Sequence, residues 1–264
     1  MRLNRPVYLN TLRWFFDSPA RLIAAGLMAL LAYGIAGGSA HVMVNGVSST
    51  GMADAPPASL ARYGNVVFAL LAWILGFGVI RREVSSGAIQ LVMLRPLSRA
   101  SYVLSKWAAL VSLNGAFLVF VYLVLLLKGG FGQADGALAA VFLAQAVQIM
   151  ALAAVITCLS AVPLALGEMG LLLVGVVGLF VLDHYAGKPG LAWLGVVAEQ
   201  GYKVLWPRVA VEGRSMFLGL VALEPGSVDA ASSLLFNGAV AAAALCGAVA
   251  LLARREFTYA ETAG

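Results

Sequence analysis

Charge is what this sequence has least of. Only 11% of its 264 residues are Asp, Glu, Lys or Arg, against about a quarter in a soluble domain. So few charges cannot clothe a water-facing surface. Cysteine is nearly absent too: Cys158 and Cys246 both fall inside apolar runs, which excludes a disulfide framework and marks them as small buried residues. The two histidines, His41 and His184, lack the neighbouring ligands that a metal site requires. Lysine occurs at only four positions, and none closes a phosphate-cradling loop; Lys188 follows a glycine but precedes Pro189. The chain is therefore expected to hold no cofactor, to hydrolyse no ATP by itself and not to be an enzyme. The net charge of +5 is not a nucleic-acid signal, because in an apolar chain the placement of basic residues sets orientation instead.

Apolar residues are what is present. They make up 62% of the chain, with a mean hydropathy of +0.94, and they come in runs near the length of about 20 residues that crosses a bilayer as a helix. The expected fold is an all-α polytopic membrane protein with six transmembrane helices. The runs lie at about 22–40, 63–80, from after Lys106 to Leu127, from Gly136 to near Pro163, about 165–185, and 230–253. Period-2 alternation is missing, and lipid offers no partner to an open strand, so the runs are helices. Glycines such as Gly34, Gly38, Gly175 and Gly178 suit close helix packing. Residues 1–264 form a single membrane domain.

The basic residues divide unevenly across these runs. With both ends on one side, eleven of the 17 Lys and Arg residues fall there: Arg2, Arg5, Arg13, Arg21, Arg81, Arg82, Arg95, Arg99, Lys106, Arg254 and Arg255. Of the other six, four lie in the long 188–229 segment, where the charge rule is weak. Both termini are thus expected in the cytoplasm. No cleavable leader is expected at the start, since Arg5, Arg13 and Asp17 precede any apolar core. Residues 1–20 instead suit an interfacial helix, with Pro6 in the first turn and Tyr8, Leu12, Phe15 and Phe16 on one face. The alternative is a plain leader that anchors the first span.

One polar stretch interrupts the first half: RREVSSGAIQLVMLRPLSRASYVLSKW, residues 81–107. Ile89, Val92 and Met93 share a helical face there. Pro96 blocks continuation, and Ser98 is placed to cap the next helix. The expected shape is a short helix along the membrane surface, a turn, and a new span.

Glu83, Gly87, the run to Leu91, the RPLSR stretch from Arg95 to Arg99, and then Tyr102 and Lys106 resemble the cytoplasmic loop of ABC type-2 exporter permeases. Ala88 departs from the pattern, since that family more often has Thr or Ser after the glycine. The resemblance implies a coupling helix between spans two and three that docks on separate cytosolic ABC ATPase subunits, two per transporter. It also implies a second permease copy or a related permease, and short external helices, re-entrant or interfacial, between spans five and six. The location implied is the cell's inner (plasma) membrane. Glu83, Gly87, Leu91, Arg95, Pro96 and Arg99 are the expected contact set, with an apolar strip filling the partner's groove. The competing reading makes the arginines anchors to lipid phosphates, and it is preferred for Arg81 and Arg82.

Polar residues inside spans are costly and mark possible path-lining positions: Asn114, Gln145 and Gln148. Interhelical hydrogen bonding is the alternative for all three. Glu168 is expected in the tight turn between spans four and five, and Asp183 with His184 near the outer interface. Trp193, Tyr202 and Trp206 suit the headgroup level of the external segment. Export of an unidentified substrate is the leading function. A non-transporting scaffold that couples ATP hydrolysis to a mechanical or delivery task is the alternative, and an intramembrane lipid-modifying enzyme a third, which would call for a reactive cluster that the sequence lacks.

Overall fold

The computed structural model of the chain describes residues 3–37, 67–93, 97–129, 136–162, 167–186, 188, 191–205 and 230–254. Their secondary structure is helical, and no strand occurs among the described residues. The helices are α1 (Arg5–Phe16), α2 (Pro19–Gly37), α3 (67–76), α4 (Arg81–Ser85), α5 (Ala88–Met93), α6 (Arg99–Gly129), α7 (Gly136–Ser160), α8 (Gly167–Ala186), α9 (Ala192–Leu205) and α10 (Ala230–Arg254).

Three stretches among the described residues are long and apolar enough to cross a membrane: Arg99–Val124, Phe142–Ser160 and Leu234–Arg254. Gly170–Ala186 is a shorter apolar helix at the place of the fifth run. Helices α2 and α3 stand where the first two runs were expected, although residues 38–66 lie outside the described ones. Of the 188–229 segment, α9 is described; residues 206–229, with Trp206, are not, nor are the side chains of Tyr202, Glu168 and Asp183.

One boundary differs from expectation. The third run was placed after Lys106, yet its helix starts at Arg99. Ser98 caps it as expected, its Oγ accepting from the Ser101 amide at 3.2 Å. Lys106 therefore sits two turns inside the helix and is only 2% exposed.

Small residues decide the packing. A Cβ on Gly76 would stand 2.7 Å from Cγ2 of Ile156, so α3 and α7 approach to a distance that only glycine permits. A Cβ on Gly247 would meet Cys158 Sγ at 3.3 Å, on the contact of α10 with α7. Those two helices run the same way: Ala151 and Val155 pack with Val240 and Ala241, and further along Leu159 and Cys158 pack with Leu245, Ala248 and Val249. The central cluster joins Trp73 and Ile80 to Tyr102 and Leu110, to Leu152 and Ile156, and to Ala248 and Leu252. Helices α8 and α9 form a hairpin in which Gly201 lies under Leu179. Leu173, Val174, Val177 and Phe180 on α8 remain exposed, the face that a bilayer would solvate.

Residues 5–16 form α1, and of the expected face Tyr8, Leu12, Phe15 and Phe16 only Phe15 is buried. Asn4 caps the helix by accepting from the Val7 amide at 3.1 Å. Thr11 and Phe15 are buried, Phe15 against Leu71 and Leu75, while Leu9 and Phe16 are exposed. Two contacts fasten α1 to α6: the Asn4 amide donates to Ser105 Oγ at 2.8 Å, and Tyr8 Oη to Ser112 Oγ at 2.9 Å.

Candidate functional site

The polar stretch after residue 80 folds as two short helices joined by a turn. Helix α4 ends because Gly87 takes a left-handed conformation, φ +72°, with the amides of Ser86 and Gly87 closing onto Arg82 O and Val84 O. Any L side chain there would be strained, which accounts for the glycine. Helix α5 then lays Ile89, 1% exposed, into the central cluster with Val92 beside it. The apolar strip expected to face a partner is thus turned inward in its described part. The physical reason is proximity: the bundle's own apolar floor lies directly beneath α5, so these side chains leave solvent without any second protein.

Glu83 also points inward. Its carboxylate accepts a hydrogen bond from Tyr102 Oη at 2.6 Å and forms an ion pair with Lys106 Nζ. Tyr102 and Lys106 stand four residues apart on α6 and so share a face. The pair is held away from water, with Lys106 2% and Glu83 18% exposed. A buried ammonium of this kind is stable only with a close counter-charge. Glu83 is the single carboxylate between Asp54 and Asp135, and it supplies that charge from the connector. In the sequence Lys106 reads as a flanking charge ahead of the third run, so neither its burial nor its partner is expected there.

Three further hydrogen bonds hold the connector and the spans beside it. Ser160, the last residue of α7, accepts at Oγ from the amides of Ile80 at 2.9 Å and Arg81 at 3.1 Å, the donors that open α4. Arg99 donates from Nη1 to Ala253 O at 2.7 Å, satisfying a carbonyl at the end of α10. The connector therefore meets α6 through Glu83 and α7 through Ser160, while α6 and α10 are tied beside it. Sequence reasoning missed Ser160, and a lone serine ending an apolar run is a weak signal.

Of the expected contact set, Glu83 and Arg99 are engaged within the chain, and Gly87 forms the bend between α4 and α5. Leu91 lies on the α5 backbone with its side chain outside the described residues, and Arg95 and Pro96 lie outside them altogether. The outward side of the connector carries Arg82, Ser85, Ser86 and Ser98, all exposed.

No family model matches this chain, and no curated protein does.

The three polar residues expected inside spans are all buried in the bundle, none more than 1% exposed. Gln145 accepts at Oε1 from Tyr122 Oη at 3.3 Å, a bond from α7 to α6. Asn114 donates from Nδ2 to Leu110 O at 2.9 Å within its own helix. Asn237 of α10 is a fourth buried amide that sequence reasoning did not single out. Because α7 and α10 are parallel and meet at Cys158 and Gly247, Gln148 and Asn237, each ten residues earlier, stand at the same height. Among the described residues no group of three or more His, Cys, Asp or Glu could hold a metal ion.

Proposed function

We propose that this chain is the transmembrane subunit of an ABC-type exporter, of the type-2 permease kind, driven by separate cytosolic ATPase subunits that grip the 81–98 connector. In this reading the chain has six spans in the cell's inner (plasma) membrane, with both termini and the connector in the cytoplasm. It pairs with a second copy or a related permease. The observation that carries the reading is the Glu83–Tyr102–Lys106 junction. A connector that merely bridged two spans would need no buried ion pair. One that receives force needs a rigid attachment to the span it moves, and the junction supplies that attachment to α6.

The docking surface follows from what the chain has already engaged. Glu83 serves as an internal lock and Arg99 as a cap, so the partner meets the outward polar side at Ser85 and Ser86 around the Gly87 bend; Leu91, Arg95 and Pro96 remain in the proposed contact set on the resemblance alone. Asn114, Gln145 and Gln148, with Asn237 beside them, are the polar positions nearest to a substrate route. Substrate chemistry is not specified by these groups, since amides suit many classes of cargo.

The test is co-purification of the full-length chain from its native membranes in mild detergent. ATP-hydrolysing activity should accompany the wild-type chain and be lost from Ser85→Trp and Ser86→Trp variants, whose side chains point outward and leave the bundle intact. Activity that accompanies all three equally would remove the connector as the docking surface. If no ATPase accompanies the wild-type chain, the permease reading falls.

A further inference from the structure

We propose that Trp14, Arg21 and Arg82 form a binding site for the phosphate of an anionic lipid headgroup, with its acyl chains on the adjoining apolar face.

The observation behind this is a local imbalance of donors over acceptors. The Arg21 guanidinium lies 3.4 Å from the centre of the Trp14 ring, and that of Arg82 lies 5.7 Å from the same centre. Two like charges drawn from α2 and α4 thus converge on one indole of α1. Their carbons are at most about 9 Å apart, the sum of those two distances, and an anion that reaches both would do so through charge-assisted hydrogen bonds of about 2.8 Å. Arg21 has one further partner, donating from Nη2 to Phe77 O at 3.0 Å. Neither arginine pairs with a carboxylate among the described residues. The Trp14 indole N–H, buried at the base of the cluster, has no acceptor either. The ring's negative face offsets part of one cationic charge. The second has no paired carboxylate among the described residues.

The surroundings select a lipid over a soluble anion. Leu22 and Ile23, next in sequence to Arg21, are 43% and 64% exposed, and Phe77 is 43% exposed. A free phosphate would gain nothing from that apolar margin, whereas a lipid fills it with its acyl chains while its phosphate reaches the two guanidiniums. Tryptophan beside basic residues at the end of an apolar helix is also the composition of the headgroup zone. A bound headgroup would tie α1, α2 and the connector together through an ion from outside the chain. The site does not depend on whether an ATPase grips the connector.

The experiment uses full-length protein in nanodiscs of phosphatidylcholine with and without phosphatidylglycerol, with co-released lipid counted by native mass spectrometry. Wild-type protein should retain phosphatidylglycerol over phosphatidylcholine. Arg82→Gln should reduce that retention several-fold, Arg82→Lys should reduce it less, and Arg254→Gln, an exposed arginine on α10, should leave it unchanged. Arg82 is exposed, so its variants keep the fold even if Arg21→Gln does not. Equal retention by wild type and Arg82→Gln would overturn the proposal. An equal loss with Arg254→Gln would also overturn it, showing general surface charge. Displacement of the lipid by inorganic phosphate at the concentration of the lipid itself would assign the site to a soluble anion and overturn the lipid.

Discussion

Lys106, within a helix of 31 residues, neutralises Glu83 on a helix of five residues. This contact joins the connector to a span. Removing one member leaves the other charge buried alone, which costs about 3 kcal/mol or more, whereas removing both charges costs much less. Lys106→Met should therefore lower the thermal unfolding midpoint sharply, and adding Glu83→Gln should restore most of it, since the new amide still accepts from Tyr102. Thermal denaturation of the detergent-solubilised single and double variants measures this directly.

Ser160 serves two amides with one hydroxyl. Ser160→Ala removes the acceptor that these two amides share, at a cost of about 1–3 kcal/mol. Ser160→Thr keeps the oxygen. Hydrogen–deuterium exchange should show faster exchange at Ile80 and Arg81 in the alanine variant and near wild-type protection in the threonine variant.

The two bend and packing glycines predict different failures. At Gly87 no atom lies within 4 Å of an added Cβ, so alanine there pays only for the left-handed backbone, about 1–2 kcal/mol. Asparagine, which tolerates that conformation, should be milder. Gly76→Ala meets Ile156 Cγ2 and costs about 1–3 kcal/mol through overpacking. Gly26→Ala, in open space on α2, should be neutral or slightly stabilising. Parallel melting curves of the four variants rank these effects.

These cases show what the sequence could and could not reveal. The helical class, the positions of the apolar runs and the Ser98 cap follow from local chemistry: hydropathy and hydroxyl capping. The burial of Lys106 was not legible, since a lysine at the head of an apolar run reads as a flanking charge rather than one that must find a partner. The identity of that partner is a tertiary fact, since Glu83 reaches it only when the connector folds back over α6. The inward turn of Ile89 was misjudged for the same reason. An amphipathic strip has the same pattern whether it covers its own bundle or another protein. Ser160 and Asn237 gave almost no local signal, because a single small polar residue in an apolar run is common at helix contacts.

A buried hydrogen bond between spans should also report its worth. Tyr122→Phe removes the donor to Gln145 and leaves that amide oxygen short of one bond. Bonds of this kind within membranes are worth about 0.6–2 kcal/mol. The variant should therefore unfold at a modestly lower temperature, and a Tyr122→Phe, Gln145→Leu double variant should recover part of the loss.

The central claim is that the outward side of the connector meets a separate ATPase in the cytoplasm. A photo-crosslinking amino acid at Ser85, introduced into the full-length chain in native membranes, tests it most directly. A crosslinked product containing a P-loop ATPase subunit is expected from position 85, and none from the same probe at Val177, exposed on the apolar helix α8. Absence of a nucleotide-binding protein from the Ser85 product, or labelling of a cysteine at that position by a membrane-impermeant reagent added outside intact cells, would contradict the account.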